Sequence, residues 1–210
     1  SRGSSKSGGA GEDGGAVAGV SPLRSATVQR FHVEDKPLYD KDDFHNARLP
    51  EFLSVCRDVV TVELMGKGVG NDGAIAVAKA LHGNGRVATL NLCANGIGYP
   101  GVKSLASLLG IASTALVHLD LSRNALGASG AAAIARSLAH NSALKTLLLD
   151  ANQVGNFGAR QMVAPLTTNT CLLVLGLTNN GLSTSEGDKV RAAVGSSRNP
   201  RDISRLEVLF

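Results

Sequence analysis

Where a run of apolar residues gives way to a helix-forming stretch, the sequence carries Gly68-Val69-Gly70-Asn71-Asp72-Gly73. A G-x-G-x-x-G set in that context can let backbone N–H groups cradle a dinucleotide pyrophosphate at a helix N-terminus, given an acidic residue about 20 positions on. The spacing loses that meaning further along the chain. Gly70 and Gly73 recur as Gly98 and Gly101, as Gly127 and Gly130, and as Gly155 and Gly158. Only Gly68 stands outside the recurrence, so no nucleotide cofactor is expected. The other chemically capable residues form no constellation. His32, His45, His82, His118 and His140 include no His-x-x-x-His pair, and Cys56, Cys93 and Cys171 lack metal-ligand spacing. Asp40, Asp42 and Asp43 read as a solvated turn or helix start rather than a calcium loop. No serine lies in a nucleophile-elbow context. The expectation is a non-enzyme with no catalytic residue, no metal and no cofactor.

Composition narrows the partners. The 21 basic and 17 acidic residues leave a net charge of +4, and Lys79, Lys103, Arg136, Arg160 and Lys189 are spread about one to a repeat. Nucleic acid needs a clustered basic face, so these read as a solvated outer surface. No apolar run reaches the roughly 18 residues of a membrane span. Three cysteines cannot all pair within the chain, and with no leader-like segment this points to the reducing cytoplasm. Apolar residues make up 43% but aromatics only 3%, which calls for a core of Leu, Val, Ile and Ala laid down in many small layers.

Both ends stand apart. Residues 1–26 are rich in Gly, Ser and Ala and cannot bury enough apolar surface to offset ordering, so a disordered tail is expected. Leu206-Glu207-Val208-Leu209-Phe210 resembles the viral 3C protease site used to remove purification tags, and residues 204–210 are read as a tag remnant. The alternative is that Ile203, Leu206 and Val208 open another repeat strand.

From Val59 one pattern recurs five times: VVTVELMGKGVG (59–70), VATLNLCANGIG (87–98), LVHLDLSRNALG (116–127), LKTLLLDANQVG (144–155) and LLVLGLTNNGLS (172–183). Its asparagine column is Asn95, Asn124, Asn152 and Asn180, with Lys67 in the first copy, at spacings of 28, 29, 28 and 28 residues. The apolar-x-x-apolar-x-apolar half turns three side chains inward from a short strand, and the asparagine is placed to satisfy buried backbone groups where the chain leaves it. The second half is helical, with apolar pairs four apart: Val77 and Leu81, Leu105 and Leu109, Ile134 and Leu138, Met162 and Leu166. Small residues at Gly73-Ala74, Gly101-Val102, Gly130-Ala131 and Gly158-Ala159 are expected to let each helix lie close to the sheet. Stacked strand–helix units give an α/β solenoid, bent into a horseshoe with parallel strands on the concave face and helices on the convex face.

Two departures carry expectations. Pro165 should bend the fourth helix or end it early. In the fifth copy Glu186 replaces the glycine and Arg191 the buried alanine, while Val190 and Val194 keep the apolar face. Such charges fit a terminal repeat whose outer side meets water. Residues 27–58 carry Phe31, Tyr39, Phe44 and Phe52 and a helix start at Leu49-Pro50, so an N-terminal cap is expected there, with a partner-binding arm as the alternative. The organisation is therefore tail (1–26), cap (27–58), five repeats (59–203) and remnant (204–210).

This pattern resembles the ribonuclease-inhibitor-like leucine-rich repeats over residues 59–197. Relatives of that type include ribonuclease inhibitor, the sensor end of nucleotide-binding immune receptors, the Ran GTPase-activating protein and tropomodulin-like actin cappers. The resemblance implies an interaction module or scaffold that binds a protein partner, with a Ran-type GTPase activator or an actin-end capper as alternatives. A monomer is expected for the isolated chain. Ala- and Gly-rich composition adds attachment to the cytoskeleton or a flagellum as the expected setting.

The residues between the inward positions face the concave side. The candidate contact set is Glu63, Met65, Asn91, His118, Asp120, Arg123, Leu148, Asp150 and Val174, polar and partly acidic at one end and more apolar at the other.

Overall fold

The computed structural model describes residues 29–32, 59–111, 114–196 and 207–209, and for residues 29–32, 194–196 and 207–209 the backbone alone. Five short strands follow the repeat: β2 (Val59–Glu63), β3 (Thr89–Asn91), β4 (His118–Asp120), β5 (Thr146–Leu148) and β6 (Val174–Gly176). Each leads into a helix: α1 (Gly70–Leu81), α2 (Tyr99–Leu109), α3 (Gly127–Leu138), α4 (Gly155–Thr168) and α5 (Thr184–Ser196). β1 (Gln29–His32) and β7 (Glu207–Leu209) flank them. Among the described residues all seven strands pair in parallel and in chain order. The fold is an α/β solenoid, one layer of strands and one of helices.

The core lies between those layers. Val62, Leu90, Leu119, Leu147 and Leu175 stand in one register row and are each no more than 1% exposed. The helical apolar pairs meet them from the other side, from Val77 and Leu81 through to Met162 and Leu166, all buried. Removing a fully buried leucine from water contributes about 2 kcal/mol, and each repeat places several.

The glycine column has two sets of close neighbours. A Cβ at Gly101 would come within 3.0 Å of the Ala74 Cβ, and one at Gly130 within 3.0 Å of the Val102 Cγ1, both on the preceding helix. At Gly158 it would lie 2.7 Å from Val154 Cγ1 and 3.1 Å from the Ala128 Cα. The shortest approach at all three is to the side chain four residues earlier, Ile97, Leu126 or Val154, and the next is to the preceding helix, which parallel strands about 4.8 Å apart draw close.

Gly68 also needs correcting, since it is part of the recurrence. It has a left-handed backbone (φ 67°), as have Gly96, Gln153 and Gly181 at the same place in later turns. The first helix turn is capped from next door: Asn71 Oδ1 accepts from Gly98 N–H (2.8 Å) and Gly101 N–H (3.1 Å), and Asn156 Oδ1 accepts from Ser183 N–H (2.8 Å).

Pro165 does not end α4 early, for the helix runs on to Thr168. The carbonyl that loses its bond belongs to Gln161, on the exposed side where water can reach it. Thr167 and Thr168 hydroxyls donate to the Ala164 and Pro165 carbonyls and close the last turn.

Nor does Glu186 meet water, although Arg191 does. Glu186 is 5% exposed and points back at α4, where its Oε1 takes Arg160 Nε (3.2 Å) and Lys189 Nζ (2.8 Å). The Lys189 hydrogen bond, opposed by burial and seconded by Arg160, holds its carboxyl below the ordinary range.

β7 pairs with β6 in the common register, Leu175 opposite Val208. The expected tail, the cap's helix start at Leu49-Pro50 and the Ser204-Arg205 segment lie outside the described residues; of the cap, only the backbone of β1 against β2 is described.

Candidate partner-binding face

The strand layer presents two outward rows. One runs Thr61, Thr89, His118, Thr146, Val174; the next runs Glu63, Asn91, Asp120, Leu148, Gly176. Neighbours in a row are about 4.8 Å apart, so the register brings Glu63, Asn91, Asp120 and Leu148 together. His118 and Val174 sit one row over with a strand between them, while Met65, Arg123 and Asp150 lie at the strand exits.

Hydrogen bonding divides these residues into two groups. Asn91 Oδ1 accepts from Cys93 N–H (3.0 Å) and Asp120 Oδ1 from Ser122 N–H (2.8 Å), each closing the end of its own strand. Asp150 Oδ1 accepts from Thr178 N–H at 2.6 Å, and its other oxygen would stand 2.8 Å from any Cβ at Gly176. The carboxylate occupies the place of the missing side chain, so Gly176 is buried beneath it. The side chains of Glu63, His118 and Arg123 make no hydrogen bond or ion pair within the described residues. Met65 is 57% exposed, and Leu148 and Val174 are half-buried apolar residues on the same face.

Arg123 owes its position to backbone strain. It sits at φ 57°, in the left-handed column of Gly66, Ala94, Ala151 and Asn179, which turns it out of the strand alternation. Cys93 lies buried beside this edge. Burial pushes its thiol upward, Asp120 and Asp150 push the same way, and Arg123 opposes them. Both burial and its acidic neighbours favour the thiol over the thiolate there.

The column asparagines bind repeat to repeat. Asn124 Oδ1 accepts from Asn95 N–H (3.0 Å) and Ile97 N–H (2.9 Å), and its Nδ2 donates to Leu92, Leu121 and Ser122 carbonyls. Asn95 and Asn180 do the same for their predecessors. Asn152 donates to the Leu121 and Asp150 carbonyls, but its Oδ1 is buried without a partner.

A second asparagine column, outside the repeat pattern drawn above, closes the helix-to-strand turns. Asn141 Nδ2 donates to Leu109 O (2.7 Å) and Asn169 Nδ2 to Leu138 O (2.8 Å), while their Oδ1 atoms accept from Leu144 and Leu172 N–H. Asn84 holds Val87 in the same way. The signal was in the sequence: Asn84-x-x-Val87, Asn141-x-x-Leu144 and Asn169-x-x-Leu172 keep the repeat period.

Among the described residues no group of three His, Cys, Asp or Glu could hold a metal ion, and no helix is long and apolar enough to cross a membrane. A leucine-rich repeat family model matches residues 112–135, which span β4 and most of α3. The chain has a leucine-rich repeat fold. No curated protein matches its sequence. Among solved structures, its repeats are similar to actin-binding site 2 of leiomodin-1, with a TM-score of 0.63, 19% identity, and coverage of 71% of this chain and 87% of that one. They are also similar to the tropomodulin C-terminal domain of Caenorhabditis elegans, with a TM-score of 0.60, 17% identity, and coverage of 71% and 90%. Identities at this level establish a shared leucine-rich repeat fold and nothing finer.

Proposed function

We propose that this protein is a binding module that takes a protein partner on its strand face, through Glu63, Met65, His118, Arg123, Leu148 and Val174. The observation that carries the reading is the division of labour on that face. Asn91, Asp120 and Asp150 are held by backbone duties, whereas the polar groups of Glu63, His118 and Arg123 make no bond among the described residues and stand beside accessible apolar side chains. Polar groups beside apolar anchors are the composition of a contact patch. The first group supports the scaffold and the second meets the partner.

The test is affinity capture with the wild type and a Glu63→Lys, His118→Glu, Leu148→Glu variant, chosen because none of the three side chains holds the backbone. Partners lost with the variant at unchanged melting temperature support the strand face. Partners retained by the variant would sink it.

A second reading is favoured by the neighbouring folds, one of which is named as an actin-binding site. It makes this chain an actin-end binder attached to the cytoskeleton in the cytoplasm. Pyrene-actin elongation at pointed ends decides it: slowing by the wild type supports it, and an unchanged rate at saturating protein rejects actin while leaving the strand-face reading standing.

A further inference from the structure

The helix layer gathers cations on its outward face. Lys79 on α1, Lys103 on α2, Arg136 on α3 and Arg160 on α4 are all exposed, and Asp72 is the only acidic residue in these four helices. Lys79, Lys103 and Arg136 make no ion pair among the described residues.

Between α1 and α2 this face is cut by a groove of about 400 Å³. Its walls are two matching stripes at i, i+3, i+4 and i+7: Ile75, Ala78, Lys79 and His82 on one side, Ser104, Ser107, Leu108 and Ile111 on the other. Ala78 and Leu108 are buried at its floor, Ile75 and Ile111 are half-buried along it, and Lys79 and His82 are exposed at its rim.

The repeat itself does not call for this lining. At the joint between α2 and α3 the places of Ile75, Leu108 and Ile111 are held by Lys103, Ser137 and His140, and between α3 and α4 by Ala132, Pro165 and Thr168. Neither isoleucine belongs to the core between strands and helices. Apolar side chains are thus set into a cationic surface at one joint only.

We propose that this groove is a docking site for an acidic segment of a partner protein. An apolar side chain of the segment lies between Ile75, Leu108 and Ile111, and its flanking carboxylates face Lys79 and Lys103. Charge complementarity specifies the flanks, and the recessed apolar floor specifies a side chain that reaches into it. A lipid surface needs apolar groups that protrude beyond the cations, and here the order is reversed. The groove lies on the opposite layer from the strand face and does not depend on it.

The probe is the peptide Glu-Asp-Leu-Asp-Glu-Asp-Leu-Glu, titrated into the full chain with its isoleucine methyl groups labelled for NMR. We expect saturable shifts of the Ile75 and Ile111 methyls while those of fully buried Ile97 and Ile134 stay fixed. Joint Lys79→Glu and Lys103→Glu substitution should weaken binding about tenfold, and so should serine in place of both peptide leucines. Leu148→Glu on the strand face should leave the titration unchanged, which keeps a failure of this site distinct from a failure of that one. Absence of shifts at Ile75 and Ile111 overturns the assignment, as does equal binding of the serine peptide, or of the charge-reversed protein at unchanged melting temperature. Phosphatidylserine vesicles that move the same methyls when the peptide does not would give the face to a membrane and overturn it too.

Discussion

The joints on either side of the third repeat use the same residue to different effect. Asn124, facing the second repeat, has both ends of its carboxamide bonded, whereas Asn152, facing the third, has only its nitrogen bonded and leaves a buried oxygen bare. The cause lies in the repeat that receives them. Asn124 meets a turn centred on Gly96, left-handed at φ 66°, whose amides converge. Asn152 meets a turn centred on Ala125, which avoids the left-handed region; Ala125 instead donates its N–H to Ile97 O (2.9 Å) and forms a β-bridge with Gly98. A Cβ disfavours the left-handed conformation by roughly 1 kcal/mol without forbidding it, as Gln153 shows at φ 58°, and at Ala125 the bridge to Gly98 accompanies the other choice. What an asparagine is worth in a repeat is decided by the backbone of its neighbour.

The largest effect should come from Asn124→Ala. It strands two amides and the carbonyls that its nitrogen served, and should lower unfolding stability by about 3 kcal/mol, read from the shift in urea midpoint. Asn152→Ala loses two donations but also removes an unsatisfied oxygen, so its cost should be about 1 kcal/mol. Equal losses for the two variants would break the comparison. Ala125→Gly sharpens it from the other side. By admitting the left-handed turn it should give Asn152 Oδ1 its donors and raise stability by about 0.5 kcal/mol after the glycine's own entropy cost. A crystal structure of this variant that still shows Ala125's bridge geometry would refute the explanation.

The smallest effects sit at the last helix and beneath the strand face. The folded Glu186 carboxyl is held below its ordinary value of 4.5, so its contribution is present above that value and is lost as pH falls through the lower, folded one. Melting temperature should therefore fall more steeply on acidification for the wild type than for Glu186→Gln, and parallel curves would show the ion pairs to be idle. For the thiols, iodoacetamide should label half-buried Cys171 well before buried Cys93; the reverse order would contradict the packing at Cys93.

Much of this molecule could be read from residue spacing. The period of 28–29 residues dictated the strand–helix alternation, and the inward strand positions Val62, Leu90, Leu119, Leu147 and Leu175 became a row of its core. The outward residues were legible as a set because side chains alternate along a strand. Their division into holders and the rest was not. Asp120 and Asp150 occupy different rows but look alike in sequence, and only the fold shows one bonding its own strand end and the other lying over Gly176 of the next strand.

The sequence by itself determined which residues face inward, since burial follows a period that stacking cannot alter. Tertiary structure decided what each polar group meets, because those partners lie about 28 residues away and depend on tenths of an ångström and on one backbone angle. It turned Glu186 inward to Arg160 and took the Asn152 oxygen out of bonding, two outcomes set by the neighbouring repeat rather than by the residue itself.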